Sequence, residues 1–103
     1  MIVYNTQIHA LGDPRYRLRR PLLVTMREYE AQHGHCEEII ACVPEFALYG
    51  SGLHGHLAVS NLKAEIVCSY ERLVALGPDK LGFLPLEHLE AMQVVIEDVS
   101  GEG

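Results

Sequence analysis

The side chains with ligand chemistry gather in two places, His33-Gly34-His35-Cys36 and His54-Gly55-His56. Imidazole nitrogen and thiolate sulfur suit zinc, but a zinc site takes three or four such ligands, each oriented by groups behind it. Each cluster offers two or three candidates on a loop. A metal-dependent or hydrolytic site therefore requires the His33/His35 and His54/His56 loops to meet at one end of a sheet; otherwise these are exposed loop histidines. The aspartates, Asp13, Asp79 and Asp98, are scattered over loops and ends, whereas two-metal hydrolysis needs carboxylates that converge. Glu37 and Glu38 are neighbours, and on a strand neighbours point to opposite faces. Ser51 lies in Gly50-Ser51-Gly52, which lacks the pattern of a nucleophile elbow and reads as a flexible turn. No catalytic residue, metal ligand or cofactor is assigned from these patterns. Arg15, Arg17 and Arg19 alternate, with Arg20 beside them. On an extended backbone three guanidinium groups then share a side, where they would grip phosphates or the carboxylates of a partner. The competing reading is a solvated edge whose charge discourages sheet stacking, and a third is self-pairing with an acidic surface of a second copy.

Charge is unevenly placed. The chain of 103 residues carries a net charge of −6. Its first thirty residues hold five arginines against three acids, and the remainder holds three basic residues against eleven acids. The whole would repel nucleic acid at long range, so DNA or RNA is not the expected partner; only the first third would attract it. Hydrophobic residues at 49% with charged residues at 21% describe an ordinary globular domain rather than a disordered chain. The length implies a single domain over residues 1–103, long enough for a core without staples. No apolar run reaches a membrane span and no basic leader precedes one, so a cytoplasmic protein with no membrane partner is expected. Cys36, Cys42 and Cys68, an odd number without close spacing, read as reduced core or near-core residues.

The elements follow from periodicity. Ile2 to Ala10 alternates, with Ile2, Tyr4, Ile8 and Ala10 on the side predicted to be buried. Gly12-Asp13-Pro14 breaks it. Arg15 to Glu30 is a second extended region, in which Leu22, Val24 and Met26 oppose Leu23, Thr25, Arg27 and Tyr29. The polar run 31–35 reads as a hairpin loop. Cys36 to Val43 is apolar on both faces and therefore central or covered twice. Pro44 interrupts it, Phe46 to Tyr49 extends briefly beyond, and the backbone turns on Gly50 and Gly52. After Gly55 a helix of about five turns carries Val59, Leu62, Ile66, Tyr70 and Leu73 as its sheet-facing stripe, ended by Gly77-Pro78. The last element, Pro85 to Asp98, has helical spacing, although Val94-Val95-Ile96 would also suit a closing strand. These elements predict an α+β two-layer sandwich: a three- to four-stranded, mainly antiparallel sheet with a βββα core, a long helix across it and a C-terminal helix. Exposed sheet edges of this kind favour a homodimer.

Ile39-Ile40-Ala41-Cys42-Val43-Pro44-Glu45, followed by Gly52 and then Ala58-Val59-Ser60-Asn61-Leu62-Lys63-Ala64-Glu65-Ile66, resembles the N-terminal domain of HicB-type antitoxins and their HicB-like relatives. The likeness covers roughly residues 37–73. It implies a small sheet with one helix across it, a partial ribonuclease H architecture without its catalytic carboxylates, and in toxin-partnered members a small ribonuclease bound through this domain. Two features depart from the family pattern. Glu45 runs directly into Phe46-Ala47-Leu48-Tyr49-Gly50 where a Pro-Gly-Cys insert is common, and Leu53-His54 replaces an Asp-Thr helix cap. The thirty residues after the main helix are too few and too irregular for the DNA-binding module of many members. The expected function is a non-enzymatic, HicB-like protein-binding module, antitoxin-like in type, homodimeric, with a toxin-like ribonuclease or another protein as partner. The alternatives are an enzyme built on the histidine loops and nucleic-acid binding through Arg15 to Arg20.

Overall fold

The structure is a computed structural model that describes residues 2–30 and 37–99. Strand β1 (Ile2–Ile8) leads through a turn to a short β2 (Tyr16–Leu18), then β3 (Leu22–Glu30) and β4 (Glu37–Val43). A turn over residues 44–47 returns the chain as β5 (Leu48–Gly52), after which helix α1 (Gly55–Leu76), a single 3-10 turn (Pro78–Lys80), helix α2 (Phe83–Val95) and β6 (Ile96–Asp98) complete it. Strands β1, β3, β4 and β5 form an antiparallel sheet in that spatial order. This is the predicted α+β architecture, with a long helix laid on the sheet and a second helix beside it.

Alternation sets the two faces of the sheet. Leu22, Val24 and Met26 of β3 and Ile39, Ala41 and Val43 of β4 are buried beneath the helical layer. On α1, Ala58, Leu62, Ile66 and Tyr70 meet them, and the half-buried Val59 and Leu73 flank that stripe. Phe46, 1% exposed, closes the core from the β4–β5 turn, and Leu89, Met92 and Val95 bring α2 onto it. At about 25 cal/mol per Å² of apolar surface, each fully buried Val, Leu, Ile, Met or Phe among them contributes about 1.5–3 kcal/mol.

Several expectations change. The second extended region is two strands. Residues 19–21 separate them, and β2 leaves the main sheet to pair antiparallel with β6, with Arg17 opposite Glu97. The C-terminal segment is both of the forms weighed for it: helix through Val95, then strand from Ile96, where β2 offers an edge. Gly50 and Gly52 are not turn residues. They lie in β5, and the reason is close approach: a Cβ on Gly50 would sit 2.2 Å from the backbone nitrogen of Leu62, and one on Gly52 2.9 Å from that of Ala58. These glycines let the axis of α1 come down onto the strand. The turn lies earlier, over residues 44–47, where Ala47 takes φ 53°. The helix has 22 residues and so six turns. His54 occupies its N-cap position without a side-chain hydrogen bond, as the departure from the Asp-Thr pattern implies.

The largest departure is at β1. Alternation predicts Ile2, Tyr4 and Ala10 in the core with Ile8, but Ile2 and Tyr4 are 54% and 41% exposed, Ala10 is exposed, and of the four Ile8 alone is buried. Helix α1 packs chiefly on β5 and β4, whereas β1 takes its contacts from β3. One helix is about 10 Å across and four strands span roughly twice that, so a helix seated on the β5 side leaves the far strand bare.

Candidate functional site

Each of the four arginines of the sequence pattern has an intramolecular partner. Arg15 bonds Asp13 at 2.7 Å and Glu71 of α1 at 2.9 Å, and its guanidinium lies 5.2 Å from the centroid of the Tyr16 ring. Arg17 pairs with Glu97 at 3.0 Å across the β2–β6 ladder. Arg19 donates to the backbone oxygen of Gln93 at 3.4 Å, and Arg20 pairs with Glu45. The row therefore ties the β2 segment to α1, to β6, to α2 and to the β4–β5 turn. Phosphate binding at Arg15, Arg17 or Arg20 would first have to displace a carboxylate already in place.

Electrostatics follow this arrangement. The Arg15 side chain and backbone amide hold the Asp13 carboxyl below its ordinary value, and the same contact raises Arg15. Tyr16 meets Tyr70 edge to face, centroids 5.5 Å apart. Burial raises the Tyr16 hydroxyl, with Glu71 adding to it. These groups weld two layers together and present no nucleophile beside a base.

The histidine clusters divide. His33, His35 and Cys36 lie outside the described residues. His54 and His56 are exposed at the start of α1, and among the described residues no three of His, Cys, Asp and Glu gather as a metal would require. Asp13, Asp79 and Asp98 do not converge on a common centre among them. A groove of about 500 Å³ runs between β1 and α1, lined by Tyr4, Thr6, Met26, His56 and Val59. It adjoins a larger one, about 730 Å³, along the flank of α1. The Tyr4 hydroxyl donates to Glu28 at 3.4 Å, and burial, then the Glu28 carboxylate, raises its pKa.

The surface with the clearest unmet potential is the sheet face turned away from α1. The strand registers place Asn5, Thr25, Cys42 and Tyr49 in one row across it and Val3, Arg27, Ile40 and Ser51 in the next. Val3, Leu23 and Tyr49 are 53%, 49% and 66% exposed, Tyr29 is exposed beside them, and Ile40 and Cys42 are half-buried. Among the described residues no helix or strand covers this face. The alternation of β3 places Leu23 and Tyr29 here. That Ile40 and Cys42 stay uncovered was not readable, because an apolar strand looks the same whether its second face meets its own chain or another.

The two edges of the sheet differ as well. At β5 the edge is short and glycine-bearing, α1 lies on it, and Asn61 donates its side-chain amide to the Ser51 carbonyl at 2.7 Å. At β1 seven residues, Ile2–Ile8, run without a charge, a proline or a glycine. Comparison with protein-family models, with curated proteins and with solved structures yields no match to this chain. Among the described residues no helix is long and apolar enough to cross a membrane.

Proposed function

We propose that the chain is a non-enzymatic, HicB-like protein-binding module that works as a homodimer and holds a protein partner, with a toxin-like ribonuclease as the kind of partner the family likeness suggests. The observation that carries this reading is the uncovered sheet face with its ordered rows of Val3, Leu23, Ile40, Cys42 and Tyr49. Apolar side chains repeated in register on one open face mark an interaction surface, whereas scattered ones are ordinary. Protein interfaces are enriched in tyrosine and arginine at their centres. Tyr29, Tyr49 and Arg27 stand on this face in that role. The engaged state of Arg15, Arg17, Arg19 and Arg20 speaks against nucleic acid as the ligand of that row.

Purification of the chain from its native host, with bound proteins identified by mass spectrometry, tests the reading. A stoichiometric protein partner that is lost on Tyr49→Lys is the expected result. Recovery of the chain alone, or a metal-dependent turnover abolished by His54→Ala, would overturn it.

A further inference from the structure

The bare edge of β1 carries a more specific inference, which rests on the homodimer part of the proposed function. We propose that two copies pair through β1 in an antiparallel manner about a two-fold axis at Asn5, joining two four-stranded sheets into one of eight strands with both α1 helices on the same face.

Three observations lead there. The first is the edge itself. Natural sheets protect free edges with charge, proline, bulges or a covering element. The β5 edge is covered in this way, by α1 and by the Asn61 bond to Ser51. Among the described residues strand β1 has none of these devices, and half of the peptide groups of Ile2–Ile8 point away from β3. The second is the strand's symmetry. With Asn5 opposite its own copy, Tyr4 faces Thr6, Val3 faces Gln7 and Ile2 faces Ile8, so all seven residues are paired and no two like charges meet. Ile2, 54% exposed, and Tyr4, 41% exposed, then gain neighbours on the side of the sheet for which their alternation suits them. A slip by two residues leaves part of the strand unpaired. A slip by one turns the partner's helix to the opposite face.

The third is area. The chain exposes 6699 Å², against about 5800 Å² for a compact monomer of its mass. The excess, roughly 900 Å², is spread over the whole surface, the open sheet face included, and leaves room for a contact of about 800 Å² per partner. The chain is also extended, with a radius of gyration of 15.1 Å against about 13 Å for a compact domain of this length.

A charge exchange across the axis tests the pairing in the full-length chain by sedimentation equilibrium. Residue 4 faces residue 6 of the other copy, so Tyr4→Lys with Thr6→Lys sets like charges opposite one another twice, whereas Tyr4→Lys with Thr6→Glu sets opposite charges there. The first double variant should raise the dimer Kd at least roughly tenfold and the second should restore dimerisation, with Tyr49→Lys leaving it unchanged. Asn5→Cys should also give, on mild oxidation, a covalent dimer linked between the two introduced thiols, because directly opposed residues lie within disulfide reach. A wild-type chain that stays monomeric would overturn both this pairing and the homodimer. A dimer that is indifferent to both charge variants and gives no such crosslink would overturn the β1 pairing and leave the homodimer standing.

Discussion

The two sides of the sheet are finished differently. At β5 the strand gives up its side chains at Gly50 and Gly52, so that α1 rests on backbone, and the helix supplies Asn61 to a strand carbonyl. At β1 every position keeps a side chain suited to a sheet, yet Ile2, Val3 and Tyr4 stand in solvent. The difference teaches that one helix covers the β5 side of the sheet's inner face at the expense of the β1 side. Burial on the β5 side supplies the stability, and the exposure left at β1 and on the open face is the surface proposed for association.

Substitutions can break that contrast from either side. The largest effect is expected from Gly50→Ala. Its Cβ would fall 2.2 Å from the Leu62 backbone nitrogen, and a backbone atom cannot rotate away, so the helix must lift. A loss of more than about 3 kcal/mol in urea unfolding is predicted. A normal midpoint would show that α1 is not seated there. Next comes Leu62→Ala, which empties a fully buried site between helix and sheet and should cost about 3 kcal/mol. The same truncation at Tyr49 removes a side chain that is 66% exposed, and should leave unfolding unchanged within about 0.5 kcal/mol. Comparable losses at Leu62 and Tyr49 would erase the distinction between the closed and open faces.

A smaller, pH-dependent effect belongs to the strap that joins β2 to α1. The Asp13 carboxyl is held below its ordinary value of 3.8, first by the Arg15 side chain and then by its backbone amide. A depressed carboxyl binds its proton less readily in the folded chain than in the unfolded one. The stability it adds is therefore present above pH 3.8 and lost as the pH falls through the lower folded value. Asp13→Asn should lower the thermal midpoint slightly at neutral pH and converge with the wild type in strong acid. Because the pair is exposed, added salt should shrink the difference.

Much of the architecture was legible in the sequence because it rests on local periodicity. The stripe Leu62, Ile66 and Tyr70 and the alternation of Leu22, Val24 and Met26 each pointed to the face they occupy. What periodicity cannot carry is the lateral position of the helix on the sheet. That is set by Gly50 and Gly52, which resemble turn residues until a helix is seen lying on them. The exposure of Ile2 and Tyr4 follows from the same missing coordinate. Likewise the alternation of Arg15, Arg17 and Arg19 was visible, but not their partners. Glu71 and Glu97 lie far along the chain, and only the return of β6 beside β2 brings Glu97 to Arg17. The uncovered sheet face proposed for association was legible least of all, since its apolar residues are those of any half-buried strand.

Hydrogen–deuterium exchange at two protein concentrations tests most directly whether the helix closes one side and leaves the other for a second molecule. Amides of residues 2–8 should exchange more slowly at the higher concentration, by roughly tenfold, while those of residues 48–52 stay as they were. Rates at residues 2–8 that do not depend on concentration, or protection that grows at residues 48–52 instead, would contradict the account.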